Sequence, residues 1–164
     1  MPVLKKLKKL GVPLYRLPGL TKDFLQAYKP LLSSLLLFDG IKDVLLSLKE
    51  EGIHLSILSS NSTENIRSFL QANELEMFDQ VMSSKTLFSK NKQMEKYRKD
   101  NKLTKDEIIY VGDETRDIDA CRIAGMRIIS VVWGYESKEL LLKEKPDFIA
   151  EEPEDILKII RQLS

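Results

Sequence analysis

The sequence predicts an α/β fold, in which a parallel β-sheet is covered by helices on both faces. From about residue 41 onward, short apolar runs alternate with amphipathic helical segments, which is the order expected of strand–helix–strand units. A length of 164 residues suits one such core with a small additional piece, and it is too short for two full domains. We therefore expect a three-layer core over residues 38–164 and an accessory helical piece over residues 1–37.

The core begins with a helix, a strand and a second helix. Apolar residues at positions i, i+3, i+4 and i+7 from Ile41 predict the first helix, and Gly52 ends it. Ile53–Leu58 follows as a strand. Asn61, with Glu64 three residues later, is expected to cap the second helix. This order is that of one strand–loop–helix unit.

The rest of the core continues the alternation. The predicted elements are a strand over 78–82, a Lys-rich helix over 90–101, a strand over 107–111, a helix over 115–124, a strand over 128–132, an edge strand over 145–149 and a closing helix over 154–163. No internal repeat or low-complexity linker interrupts this series. Strands separated by helices favour parallel pairing, because the helix returns the chain to the start of the next strand.

The first 37 residues have a different pattern. Leu4, Leu7 and Leu10 mark a short helix, and a second helical run follows the chain breaks at Pro13 and Pro18. A basic amphipathic start is compatible with binding at a membrane surface. Packing against the protein itself is favoured, because the segment is short.

Composition narrows the classes of function. The sequence has 26 Lys and Arg residues against 25 Asp and Glu residues, so a net charge of +1 gives no general electrostatic reason to bind nucleic acid or a membrane. Glu95 and Asp100 interrupt the Lys-rich helix, which also argues against a nucleic-acid surface. The single cysteine, Cys121, suits a reducing compartment and packing as a small apolar group. No segment has the roughly 20 apolar residues of a membrane span, and we expect a cytoplasmic protein.

Two acids follow the predicted strand over residues 107–111. Gly112 lets the backbone turn sharply, so that Asp113 projects from the carboxyl end of the strand, where open α/β sheets bind ligands. Asp117 lies in the first turn of the next helix, where the helix dipole favours negative charge. Two carboxylates suit Mg²⁺, which commonly binds one or two of them together with phosphate and water. The alternative is an ordinary Gly-Asp turn with an exposed acid.

Polar and basic residues follow two other predicted strands. Ser59, Ser60 and Asn61 lie in the loop before a helix, where hydroxyl, amide and backbone N–H groups can bind phosphate. The alternative for this loop is a simple helix cap. Lys90 begins the next helix, where a cation is unfavourable unless it faces an anion. Because several other lysines surround it, a solvated basic face is the alternative for Lys90.

Hydroxyl, ammonium and carboxylate groups at three strand ends resemble the active site of the haloacid dehalogenase-like (HAD) hydrolases, most closely the phosphoglycolate-phosphatase-like branch. The second motif of that family, a Ser or Thr after an apolar strand, resembles Ile57–Asn61. Its third motif, a lysine ahead of a helix, resembles Lys90, although Asn91 replaces the proline that often follows. Its fourth motif resembles Val111–Asp117. The resemblance implies a Rossmann-like core, with residues 1–37 as the remnant of a helical cap.

The resemblance also implies hydrolysis of phosphate esters. In this family a carboxylate attacks phosphorus, a second aspartate acts as general acid and then base, and Mg²⁺ neutralises charge. By this resemblance Ser59 would bond to the transferring phosphoryl group, with Ser60 and Asn61 beside it, and Lys90 would balance the negative charge. Asp113 would bind Mg²⁺, with Asp117 as an auxiliary ligand. The expected substrate is a small phosphorylated metabolite.

The first motif of the family, a strand ending in Asp-x-Asp-Gly-Thr, has no counterpart in the sequence. Phe38-Asp39-Gly40 lacks the second aspartate, and the acids of residues 117–119 lie at a helix start. In the family the first strand lies between the strands that carry the second and fourth motifs, so its absence would leave two facing edges unpaired. We therefore expect an amino-terminally truncated phosphatase that is inactive as written.

Two alternatives remain open at this stage. One is a non-catalytic module that keeps the anion site and binds phosphate or a nucleotide without turnover. The other is a homo-oligomer or a complex in which a partner chain supplies the missing central strand. The first predicts a folded short form on its own, whereas the second predicts that folding depends on association.

Overall fold

Strands and helices alternate along the residues that the computed structural model describes, which are 35–84 and 90–163. The helices are α1 (Ile41–Glu50), α2 (Thr63–Ala72), α3 (Lys90–Asp100), α4 (Thr115–Ala124), α5 (Lys138–Lys143) and α6 (Pro153–Leu163). The strands are β1 (Ser56–Ser59), β2 (Gln80–Ser83), β3 (Ile109–Gly112), β4 (Arg127–Val131) and β5 (Phe148–Ala150). The predictions for residues 1–34, including the cap remnant, lie outside the described residues.

The strands form two parallel groups. β1 pairs with β2, with Ile57 opposite Val81. β3, β4 and β5 pair in that order, with Val111 opposite Ile129 in β4. No described strand pairs with the second edge of β1 or of β3. The α/β class with parallel strands is confirmed, and the break lies between the two strands where the sequence led us to expect a missing one.

Adjacent residues of β4 enter two different cores, because side chains alternate between the faces of a strand. Ile128 is buried with Met94 of α3 and Ile118 of α4. Ile129 is buried with Val44 of α1 and with residues of α6. Helix α2 covers β1 and β2 through a third apolar cluster. Helices therefore lie on both faces, as predicted.

Cys121 confirms its predicted role as a small apolar group. Its side chain is fully buried in the core formed by α3, α4 and β4. Burial and the nearby negative charge of Asp117 raise the pKa of the thiol to about 12. The thiol is therefore protonated at neutral pH and cannot act as a nucleophile.

Four strands begin two or three residues later than their patterns predict. The strands expected over 53–58, 78–82, 107–111 and 145–149 start at Ser56, Gln80, Ile109 and Phe148. Just before β1 and β2, the backbone N–H of Leu55 donates to Asp79 Oδ2 at 3.0 Å, and the Asp79 N–H donates to the Leu55 carbonyl oxygen at 2.7 Å. One side-chain bond and one backbone bond thus join the two segments at this end of the β1–β2 pair.

The cap of α2 was predicted one residue too early. Ser62 occupies the N-cap position, where its Oγ accepts from the backbone N–H of Asn65 at 3.2 Å. Asn61 instead orders the preceding loop, since its Oδ1 accepts from the backbone N–H of Ser62 and from Asn65 Nδ2, both at 2.9 Å. The capping prediction for Asn61 is therefore wrong.

Helix α5 was not predicted from the sequence. Leu141 is its one fully buried side chain, and the neighbouring Leu140 and Leu142 are about half exposed. A single buried position in six residues gives no helical periodicity to detect. Residues from Leu37 onward form one compact unit. No helix among the described residues is long and apolar enough to cross a membrane.

Candidate active site

Gly112 ends β3 in a space that only glycine fits. A Cβ at this position would lie 2.6 Å from Asp117 Oδ2 and 2.8 Å from Tyr110 Cε1, closer than real Cβ contacts come. The missing side chain lets the backbone pass directly from β3 to the start of α4. Asp113 and Asp117 therefore both lie at the carboxyl edge of the sheet, as predicted.

The loop after β4 holds Asp113 in place. The backbone N–H of Tyr135 donates to Asp113 Oδ2 at 2.7 Å, and the N–H of Glu136 donates to the Asp113 carbonyl oxygen at 3.3 Å. A Cβ on Gly134 would lie 2.6 Å from Asp113 Cγ, so the glycine packs directly against the acid. No sequence signal links the two segments, because only parallel pairing of β3 with β4 brings their carboxyl ends together.

Glu136 also completes the start of α4. Its Oε2 accepts from the backbone N–H of Thr115 at 2.6 Å, and its Oε1 accepts from Thr115 Oγ1 at 3.4 Å. Glu114, at the N-cap position itself, makes no side-chain capping bond. A negative group from a distant loop thus satisfies a helix-start N–H where the dipole favours it.

Lys90 and Asp117 form a buried ion pair. Their side chains are 13% and 3% exposed, and Lys90 Nζ donates to Asp117 Oδ1. Lys90 begins α3 and Asp117 lies in the first turn of α4, so the pair joins the starts of two helices. Lys90 therefore faces an anion, the carboxylate of Asp117, and the alternative of a solvated basic face does not describe it.

The Lys90 ammonium remains charged at neutral pH. Burial by itself lowers the pKa of Lys90, but the negative charge of Tyr110, when ionised, and the hydrogen bond and charge of Asp117 raise it above its ordinary 10.5. Lys90 Nζ also lies 5.3 Å from the centroid of the Tyr110 ring, within cation–π range. A full positive charge is thus held in a site with little access to water.

Tyr110 connects this ion pair to β1, and none of the sequence motifs includes it. Its hydroxyl donates to the backbone carbonyl oxygen of Leu58 at 3.1 Å, next to Ser59. Burial and the charge of Asp117 raise the pKa of Tyr110 to about 12, so the hydroxyl remains a donor at neutral pH. The sequence feature that could have identified it is a tyrosine within a core strand, because a buried phenol hydroxyl needs a polar partner.

The Ser59–Asn61 loop follows β1 at the same edge. Ser59 Oγ accepts from the backbone N–H of Asn61 at 3.1 Å, which leaves the hydroxyl hydrogen able to donate. Ser83 Oγ donates to the Asn61 carbonyl oxygen at 2.7 Å and ties the loop to the end of β2. Ser60 is exposed. The loop is therefore ordered by its own hydrogen bonds, and Tyr110 links it to the ion pair.

The acids at this edge fit a magnesium ion only as a partial ligand set. The described residues include no group of three or more His, Cys, Asp or Glu side chains that could hold a metal. Asp113 has one carboxylate oxygen bonded to a backbone N–H, and Asp117 has one bonded to Lys90. Mg²⁺ commonly binds through one or two carboxylates and completes its shell with water and phosphate oxygens. The two acids are compatible with that arrangement.

Comparison with known sequences identifies one family. The family model described as haloacid dehalogenase-like hydrolase matches residues 4–131. A phosphoglycolate phosphatase from Synechococcus elongatus is 36% identical over 133 residues, which cover 80% of this chain and 63% of the relative. Pyrophosphatase PpaX from Listeria monocytogenes is 30% identical over 128 residues, which cover 76% of this chain and 59% of the relative. The chain thus spans about three fifths of the length of these relatives.

Solved structures show the same fold. A predicted phosphoglycolate phosphatase from Haemophilus somnus superposes with a TM-score of 0.84 at 23% identity, covering 94% of this chain and 72% of that one. A haloacid dehalogenase-like family hydrolase from Streptococcus pneumoniae also reaches 0.84, at 22% identity, covering 97% of this chain and 77% of that one. At these identities the structures support the fold alone.

Proposed function

Because the chain belongs to the haloacid dehalogenase-like hydrolases, we propose that it forms most of the core of a phosphatase similar to phosphoglycolate phosphatase, which hydrolyses a small phosphate monoester with Mg²⁺. The observation that carries this proposal is the buried pair of Lys90 and Asp117, at the start of the helix that follows Asp113. A phosphoryl group is dianionic, and a shielded ammonium next to a carboxylate metal ligand is suited to stabilise it.

The Ser59–Asn61 loop would bind the phosphoryl oxygens. Ser59 Oγ already accepts one hydrogen bond, so its own hydrogen is available to a phosphate oxygen. The N-terminus of α2 follows directly and presents backbone N–H groups, which favour an anion. Ser60 is exposed and would reach the same anion. Asn61 would contribute at most its side-chain NH₂ group, because its backbone N–H and its side-chain oxygen are bonded within the loop.

Lys90 would neutralise charge on the phosphoryl group as the reaction proceeds. Asp117 orients Lys90 Nζ, and the Tyr110 ring lies beneath it, so the ammonium needs little reorganisation. Asp113 would hold Mg²⁺ through a carboxylate oxygen, with Asp117 as the auxiliary ligand. When bound, Mg²⁺ supplies charge neutralisation at the phosphoryl oxygens. The loop containing Gly134 keeps the Asp113 side chain oriented toward that role.

The phosphoryl-accepting carboxylate would come from polypeptide outside these 164 residues. The sequence has no Asp-x-Asp-Gly-Thr segment, and the acids at the site are engaged by Lys90 and by the loop after β4. We expect the 164-residue chain alone to hydrolyse phosphate esters no faster than a buffer control. The cause of this expected inactivity would be the absence of the strand that carries the nucleophile, and not damage to the residues present at the site.

A chimera tests this function. The part of the Synechococcus elongatus phosphatase that has no counterpart here would be joined to this chain, and release of phosphate from phosphoglycolate would be measured with and without Mg²⁺. We expect Mg²⁺-dependent turnover that falls by about 10²–10³-fold in Ser59→Ala, Lys90→Met and Asp113→Asn. Lys96→Met, an exposed lysine on the same helix as Lys90, is the matched control and should keep full activity. A folded chimera without turnover would refute the proposal.

A phosphate-binding module without catalysis is the second candidate. It is favoured by the presence of Ser59 and Lys90 in a chain that lacks the nucleophile segment. This candidate predicts that the 164-residue chain binds inorganic phosphate with a 1:1 stoichiometry in calorimetry, and that Lys90→Met abolishes the signal. Absence of phosphate binding by the folded chain would exclude it.

A further inference from the structure

The start of α4 is capped by an acid that is distant in the sequence. Asp113, Glu114 and Asp117 all lie within two residues of Thr115, the first residue of the helix. The backbone N–H of Thr115 nevertheless donates to Glu136, from the loop after β4. We propose that Glu136 is a positioning residue, which keeps Asp113 available to Mg²⁺ by occupying the N–H that Asp113 would otherwise bind. The role of Asp113 as a metal ligand rests on the proposed function.

The acids on either side of Thr115 are bonded to other groups. Glu114, at the N-cap position, makes no side-chain capping bond, and its carboxylate pairs with Arg116. Asp117 is engaged in the buried ion pair. Without Glu136, the acceptor nearest in sequence to the Thr115 N–H would therefore be the carboxylate of Asp113.

Asp113 has the spacing to provide that acceptor. An aspartate commonly accepts a hydrogen bond from the backbone N–H two residues later, in an Asx-turn, and Thr115 is two residues after Asp113. The dipole of α4 would favour this bond, because it attracts negative charge to the helix start. An Asx-turn would hold the Asp113 carboxylate against its own backbone. A carboxylate held in this way offers fewer lone pairs to a metal ion.

The loop after β4 opposes the Asx-turn in two ways. Glu136 Oε2 accepts from the Thr115 N–H at 2.6 Å, and Oε1 accepts from Thr115 Oγ1 at 3.4 Å, so the donor of the turn is already bonded. The backbone N–H of Tyr135 donates to Asp113 Oδ2 at 2.7 Å, so the carboxylate has a different donor. Two consecutive residues of the loop therefore bind both the acid and the N–H with which it would pair.

The cause that we assign to Glu136 is its hydrogen bond and not its charge. Glu136→Gln keeps an oxygen that can accept from the Thr115 N–H, whereas Glu136→Ala removes the acceptor. In calorimetric titration with Mg²⁺ in the presence of inorganic phosphate, we expect Glu136→Ala to lower the affinity about tenfold. Glu136→Gln should retain most of the affinity. A direct metal ligand, or a purely electrostatic contribution, would make the two variants similar.

Glu107 provides a matched control. Its Oε2 accepts from the backbone N–H of Thr104 at 2.8 Å and from Thr104 Oγ1 at 2.7 Å, which are the same two groups that Thr115 donates to Glu136. Glu107 precedes β3, whereas Asp113 follows its carboxyl end, so the length of the strand separates the two. Glu107→Ala should therefore remove a similar pair of bonds and leave the affinity for Mg²⁺ unchanged.

Amide hydrogen exchange, followed by NMR in the metal-free chain, tests the positioning itself. In Glu136→Ala we expect the Thr115 N–H to stay protected, because the Asp113 carboxylate takes over as its acceptor. The Tyr135 N–H should exchange about tenfold faster, because it loses that carboxylate. Asp113→Ala combined with Glu136→Ala should expose the Thr115 N–H as well. In Glu107→Ala neither amide should change.

An ordinary helix cap would give a different pattern of exchange. Loss of protection at Thr115 in Glu136→Ala, with Tyr135 unchanged, would make Glu136 such a cap and overturn the proposal. An affinity for Mg²⁺ that is unchanged in Glu136→Ala, or equally lowered in Glu136→Gln, would overturn it as well. The expected exchange pattern in a chain that binds no Mg²⁺ would support the positioning of Asp113 while counting against the proposed phosphatase.

Discussion

The ion pair between Lys90 and Asp117 predicts a large loss of stability when one partner is neutralised. Asp117→Asn keeps the size of the side chain and removes its charge. The Lys90 ammonium, 13% exposed, then remains largely desolvated without an anionic partner. Breaking a buried pair in this way typically lowers the free energy of unfolding by about 3–5 kcal/mol. Because Lys90 keeps a little exposure and its contact with the Tyr110 ring, we expect about 3 kcal/mol.

The same helix provides a matched exposed pair. Lys96 and Asp100 are 67% and 57% exposed, and a pair of this kind contributes well under 1 kcal/mol. Urea unfolding of wild type, Asp117→Asn and Asp100→Asn measures both effects with one assay. In thermal unfolding, about 3 kcal/mol corresponds to a fall in Tm of roughly 6–12 °C for a chain of this size. Asp100→Asn should leave Tm within about 2 °C of the wild type.

A double variant isolates the unpaired charge as the cause. Lys90→Met combined with Asp117→Asn removes both charges, and it should be more stable than Asp117→Asn alone. The pKa of Lys90 is raised in the folded state, so the pair contributes fully below pH 10.5 and its contribution is lost as pH rises through the folded pKa. Equal losses in Asp117→Asn and Asp100→Asn, or no recovery in the double variant, would refute this reasoning.

Three other features can be tested with single changes. In Gly134→Ala the new Cβ would lie 2.6 Å from Asp113 Cγ, so this variant should displace Asp113. If Asp113 binds Mg²⁺ as proposed, calorimetry should show an affinity for Mg²⁺ that is about tenfold lower. Gly52→Ala is the control, because its Cβ meets nothing within 4 Å and the change should lower only Tm. Cys121, with a pKa of about 12, should be alkylated by iodoacetamide only after unfolding, as mass spectrometry would show. The hydrogen bond from Lys49 lowers the pKa of Asp79 below 3.8, so Asp79→Asn should lower the free energy of unfolding of the protein at about pH 7. In urea unfolding, the difference in stability between wild type and variant should shrink as pH falls through the folded pKa of Asp79.

The sequence alone predicted the parts of the fold that periodic burial encodes. Helix α4 has the predicted bounds, and each described strand lies within a few residues of its predicted position. The errors occur at the ends of elements, where individual side chains make hydrogen bonds. The Asp79 side chain bonds to Leu55 just before the β1–β2 pair begins, and Ser62 rather than Asn61 caps α2. The spacing of apolar residues along the sequence does not indicate where such side-chain hydrogen bonds form.

The candidate site shows the same division. Asp113 and Asp117 could be identified because a glycine, a strand end and a helix start are adjacent in the chain. The bond of Tyr110 to Leu58 and the contact of Gly134 with Asp113 could not, because they arise only when neighbouring strands align. The burial that turns Lys90 from a surface lysine into a paired internal charge also depends on two helices that are separate in sequence. Site residues that are adjacent in the sequence could therefore be predicted, whereas the contacts that hold them in place could not.

The break in the sheet is tolerated because side chains, not a backbone ladder, join its two halves. Leu58 of β1 packs in the same core as Ile128 of β4, and Leu55 packs in the same core as Ile129. These shared cores keep both halves aligned although no described strand pairs with the second edge of β1 or of β3. The Tyr110 hydroxyl adds one polar link across the break, because it donates to the Leu58 carbonyl oxygen at 3.1 Å.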